Sequence, residues 1–74
     1  MKPIILKSKN IGKFLAYCRM RAGESRRVVY EKTGVCENTL YLTEREKGFP
    51  QFGTIEILLD HYGYEILVRK KSGT

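Results

Sequence analysis

Long hydrophobic runs are missing from this 74-residue chain. Stretches such as Ile4-Ile5-Leu6 are too short for a signal-peptide core or a membrane span, so a cytoplasmic protein is expected. Cysteine is scarce. Cys18 and Cys36 are too few for a secreted disulfide scaffold and read as reduced thiols. Histidine is scarcer still: His61 stands alone, and neither cysteine lies at metal-ligand spacing from it, so no metal or cofactor is expected. It reads as a surface or cap residue. Glu44 and Glu46 fall on different helix faces, and no Ser/His/Asp or Cys/His set occurs, so catalysis is not expected either. What is present suits one small folded domain. At 42% hydrophobic residues the chain is too apolar for disorder, yet a domain this size buries only about 60% of its unfolded surface and would gain from a partner subunit.

Acidic residues are also in the minority, 8 against 14 Lys+Arg, for a net charge of +6. The imbalance is local. Residues 1–32 carry Lys2, Lys7, Lys9, Lys13, Arg19, Arg21, Arg26, Arg27 and Lys32 against Glu24 and Glu31, or +7. Residues 33–63 carry −3, and the tail, with Arg69, Lys70 and Lys71 against Glu65, carries +2. A basic half beside an acidic middle can steer a polyanion to one face, which makes nucleic acid the favoured partner class over a merely solvated surface.

The pattern along the chain predicts a mainly α domain of four helices with a C-terminal β-strand and a possible short N-terminal strand. Residues 1–9 read as an arm or strand, 10–63 as the helical core, 64–71 as the strand and 72–74 as a frayed tail. Asn10 is placed to cap a first helix whose apolar arc is Ile11, Phe14, Leu15, Cys18 and Ala22, with Gly23 as its stop. Ser25 caps a second helix, Arg26–Thr33, that buries Val29 and Thr33 and ends at Gly34. Cys36 stands at the cap of a third, Glu37–Arg45, in place of the usual Ser or Thr. Gly48, Phe49 and Pro50 form a turn. A fourth helix from Gln51 to Tyr62 has the apolar arc Phe52, Ile55, Leu58, Leu59 and Tyr62, and Gly63 stops it. Tyr64, Ile66 and Val68 then alternate with Glu65, Leu67 and Arg69, the period of a half-buried strand.

Two short helices joined by a tight glycine turn, with Val35 plugging their angle and Leu40 anchoring the second, fit a helix-turn-helix. The third helix points Glu37, Asn38, Tyr41, Leu42 and Arg45 away from Leu40 and Thr43, an arc suited to the DNA major groove. Each residue type has a base-reading chemistry beside a plainer one. Asn38 can bond adenine N6 and N7, or simply be solvated. Glu37 can accept from cytosine N4, or complement the helix dipole. Tyr41 and Leu42 can meet a thymine methyl group or a protein partner, or be ordinary surface hydrophobes. Arg26, Arg27, Arg45 and Lys47, with the N-terminal lysines, are the candidates for phosphate.

In combination these residues resemble the lambda-repressor/Cro-type helix-turn-helix proteins of phages and bacteria, from Ile11 to about Gly63. The resemblance is carried by Arg19-Met20-Arg21-Ala22-Gly23, Ser25, Gly34-Val35-Cys36, Thr39-Leu40, Glu44, Pro50 and the apolar fourth helix ending at Gly63. It implies a sequence-specific transcriptional regulator of double-stranded DNA, most simply a small phage-type repressor acting sterically at an operator. It assigns base reading to Glu37, Asn38 and Leu42 and the DNA backbone to Arg26. The final segment is similar to the strand that antitoxin-type members add, which implies a homodimer joined through Tyr64, Ile66 and Val68. Ile57 lies off the buried arc of the fourth helix and reads as an exposed residue or as part of a dimer seam, the seam being favoured because a marginal core gains from a partner. An inverted-repeat site follows from two-fold symmetry. The competing expectation is a protein-interaction module on the same fold, such as an antitoxin binding its toxin or a phage inhibitor of a host enzyme. Tyr41, Leu42 and the acidic middle segment favour it.

Overall fold

A computed structural model describes residues 3–48 and 50–72. Among the described residues four helices follow one another: α1 (Ile11–Arg21), α2 (Arg26–Thr33), α3 (Glu37–Glu44) and α4 (Phe52–His61). Each lies within about a residue of its expected bounds. Helix α3 packs against α1 and α2, and α4 packs against α2. Their shared core is Ile11, Leu15, Val29, Val35, Leu40, Leu58 and Leu59, with Leu6, Phe14, Ile55 and Tyr62 packed on its edge.

Local chemistry explains most of the boundaries. The Ser25 hydroxyl accepts the Val28 N–H at 3.2 Å, the bond a serine cap should make. Gly34 ends α2 at φ +81°, with its own N–H donated to Tyr30 O at 2.8 Å; a side chain at that φ would be strained. Asn10 and Cys36 occupy cap positions without capping through their side chains. Asn10 instead closes the preceding turn, accepting the Lys7 N–H at 2.7 Å and donating to Ile5 O at 3.1 Å. Cys36 Sγ lies 3.0 Å from Thr39 Oγ1.

Helix α1 meets α3 very closely. A Cβ built on Gly12 would lie 2.4 Å from Thr43 O and 2.5 Å from Glu46 Cγ. Gly12→Ala is therefore expected to destabilise the fold by about 1–3 kcal/mol, although alanine is the better helix former. A chemical-denaturation midpoint equal to or above the wild-type value would show that the α1–α3 approach can relax.

The strands do not form. No strand occurs among the described residues: 64–71 and 3–7 carry no regular structure, and 8–10 form a turn. Alternation supplies a face but not hydrogen-bonding neighbours, and no second strand lies alongside among the described residues. Tyr64 closes the end of α4 instead: its N–H bonds Leu59 O at 2.8 Å, and its ring meets Phe14 edge-on at 5.1 Å. Beyond it Leu67 and Val68 are almost wholly exposed. The apolar arcs also need correcting at their ends. Phe52 is 64% exposed because it opens α4, Ala22 is exposed because it closes α1, and Thr33 is only half-buried. The expectations for Lys2, Phe49 and residues 73–74 lie outside the described residues.

Candidate nucleic-acid interface

The first turns of α2 and α3 border an open groove of ≈ 670 Å³ lined by Arg19, Ser25, Arg26, Arg27, Glu37, Asn38 and Tyr41. It exists because Gly34 turns the chain sharply and Val35 and Leu40 tuck their side chains into the core, leaving the other face of α3 outward. All five residues of the expected outward arc, Glu37, Asn38, Tyr41, Leu42 and Arg45, are exposed, while Leu40, Thr43 and Glu44 are buried. Helix α3 is therefore amphipathic, with one face buried and the other exposed.

Glu44 organises the arginines behind this face. Its side chain is 2% exposed and accepts from Arg19 Nε at 2.8 Å and Arg19 Nη2 at 3.0 Å. Arg26 approaches the same carboxylate, with Nε at 3.2 Å and Nη2 at 3.1 Å from Oε1. Arg19 also donates through Nη1 to Glu24 O at 2.9 Å, which ties the α1–α2 link to the pair. Arg26, assigned to phosphate from sequence, is thus held mainly by the protein, and its orientation is fixed by Glu44. Arg27 is more open: it lies 3.5 Å from Glu31 and 3.8 Å from Glu37, both exposed, so these ion pairs are weak. Glu37 is consequently partnered across the groove rather than free at the helix start.

Two guanidinium groups lie near the Tyr41 ring. Arg26 Cζ lies 5.2 Å and Arg45 Cζ 5.4 Å from its ring centroid. Both distances are within cation–π range. Hydrogen bonding from Arg45 and its charge, then the charges of Arg26 and Lys47, hold the Tyr41 hydroxyl below the ordinary tyrosine pKa. Cys36, at the start of the same helix, is exposed, and its thiol is also held below its ordinary value, chiefly by the Thr39 hydroxyl and then by backbone N–H groups.

A second polar cluster supports the site from behind. Glu24 accepts from Lys32 Nζ at 2.7 Å and lies 2.8 Å from His61 Nε2. His61 is therefore a part-buried tie between α4 and the α1–α2 link, not the surface or cap residue expected from its isolation in sequence. The Lys32 contact, then that of His61, keeps the Glu24 carboxyl below the usual carboxylate range. Stability from that depressed pKa is present above the unfolded value and is lost as pH falls through the folded one. Burial, followed by Glu44, pushes Tyr62 up to about 12, and its hydroxyl has no hydrogen-bond partner among the described residues.

The charged residues behind the groove were missed by sequence reasoning, although a signal was there. Arg19 lies four residues after Leu15, and Glu44 four after Leu40, so each charge falls on its helix's buried stripe. Opposite charges on two facing apolar stripes predict a buried ion pair. Ile57, Tyr64, Ile66 and Val68, the expected dimer residues, all lie exposed and away from the groove. Among the described residues no helix is long and apolar enough to cross a membrane, and no group of three or more His, Cys, Asp or Glu is placed to hold a metal ion. The chain matches no protein-family model, no curated protein sequence and no solved structure.

Proposed function

We propose that this protein is a sequence-specific binder of double-stranded DNA, a small helix-turn-helix repressor of the lambda-repressor/Cro type that presents α3 to the major groove. The observation that carries the reading is the outward face of α3 beside the basic start of α2. Asn38, Tyr41, Leu42 and Arg45 are exposed on one helix, and Arg27 stands across the groove from its first turn. An α-helix fits the major groove, and cations at its flank meet phosphates. The +7 half of the chain includes α1 and nearly all of α2 and supports the attraction of a polyanion. Two copies joined through Ile57, Tyr64, Ile66 and Val68 would cover exposed apolar side chains and pair the extended tail, so the DNA site is an inverted repeat.

Selection of bound sequences from random duplex DNA tests this, with sedimentation of the same sample for the dimer. The expected result is an enriched inverted repeat, an affinity that falls steeply with salt, and a dimeric protein. Arg27→Ala is the cleaner probe of phosphate contact than Arg26, which also serves Glu44. It should reduce the slope of log affinity against log salt by about one. A protein that enriches no sequence and binds duplex without salt dependence is not a DNA regulator. The Arg27–Glu37 pair and the exposed Tyr41 and Leu42 would then assign α3 to a protein partner, such as a toxin or a host enzyme.

A further inference from the structure

We infer that Arg45 is a guanine-reading residue, braced for that contact by Tyr41, and that it works with Asn38 to read a guanine and an adenine two to three base pairs apart. The inference rests on the DNA-binding reading above and goes beyond it by naming the bases and the residues that choose them. Sequence alone had placed Arg45 with the phosphate contacts.

Two observations separate Arg45 from Arg19, Arg26 and Arg27. Arg19 and Arg26 are bonded to Glu44, and Arg27 faces Glu31 and Glu37, whereas Arg45 has no carboxylate partner among the described residues. Its Cζ lies 5.4 Å from the Tyr41 ring centroid, a ring it shares with Arg26 at 5.2 Å. An arginine fork braced by an aromatic side chain loses less rotamer freedom on binding, and its planar N–H edge is rigid. That edge matches guanine O6 and N7, the commonest specific contact in the major groove.

Register supplies the second observation. Arg45 caps α3 in right-handed helical conformation, so the helical spacing extends to it. Asn38 and Arg45 are seven residues apart, which returns to nearly the same side of a helix, since seven residues turn about 700°. Along the axis they are separated by about 10.5 Å, close to three base-pair steps of about 3.4 Å, and fewer steps if the helix crosses the groove obliquely. Tyr41 and Leu42 lie between them on the same exposed arc. Asn38 offers the bidentate amide that suits adenine, and Arg45 the fork that suits guanine.

The test uses the full chain and the duplex enriched by selection. Replacing the guanine by 7-deazaguanine, which lacks the N7 acceptor, should weaken wild-type binding about fivefold or more. Arg45→Ala and Arg45→Lys should each lose the preference for guanine at that position only, and the deaza substitution should then have no effect. Tyr41→Phe, which keeps the ring but not the hydroxyl, should retain more of the deaza effect than Tyr41→Ala, which should shrink it, a readout that a merely structural tyrosine would not move. If Arg45→Ala instead weakens all sequences equally and lowers the salt slope by about one, Arg45 is a phosphate contact and the inference is wrong while DNA binding stands. If the wild-type protein enriches no sequence, the DNA-binding reading itself fails, and this inference with it.

Discussion

Replacing Glu44 by alanine is expected to destabilise the protein by about 3 kcal/mol or more, the cost of breaking a buried ion pair by removing one partner. The carboxylate is 2% exposed and receives Arg19 through two nitrogens and Arg26 through two more. Its loss leaves Arg19, 14% exposed, without a counter-charge; Arg26, at 34%, can turn to water and contributes less. For a domain of this length the melting temperature should fall by more than about 10 °C. Glu44→Gln should fall between the two, since it keeps the volume and an acceptor but not the charge. Thermal unfolding followed by circular dichroism decides it. A shift of Glu44→Ala by less than about 3 °C would mean that the pair offsets little more than its own desolvation.

Leu40→Ala is expected to cost about 2–5 kcal/mol, through lost transfer free energy and the cavity left behind. Leu40 is completely buried, in the same cluster as Leu15, Val29, Val35 and Leu58, which draws on all four helices and the α2–α3 turn. No one neighbouring helix can collapse into the space without leaving another. Small domains have few kilocalories to lose, so the variant should be partly unfolded at room temperature. Urea titration would show this as a lower midpoint with the slope unchanged. A variant that keeps the wild-type midpoint would place the anchoring of α3 elsewhere, on Thr43 or Glu44.

The helices were legible because their signals are local. Ser25 and the glycines at 23, 34 and 63 punctuate the chain, and the periods of Leu15, Leu40 and Leu58 point inward in each helix. The outward arc of α3 was legible for the same reason, since one face of a helix is fixed once the other is buried. The tail misled because period-two alternation records only which side chains share a face. Whether Tyr64, Ile66 and Val68 form a strand depends on a hydrogen-bonding neighbour, which the described residues of one copy do not supply.

The sequence by itself determined the number of helices, their limits, their inward faces and the basic character of the first half. Tertiary structure alone decided which charges are free. In sequence Arg26 and Arg45 are equivalent cations, but folding brings Arg26 to Glu44 across 18 residues and leaves Arg45 braced only on Tyr41. His61 reaches Glu24 across 37 residues in the same way. Helix-forming signals act within a turn or two of chain, so sequence period carries them. Ion pairing depends on distance in space and on burial, which exist only after α1, α2, α3 and α4 have packed.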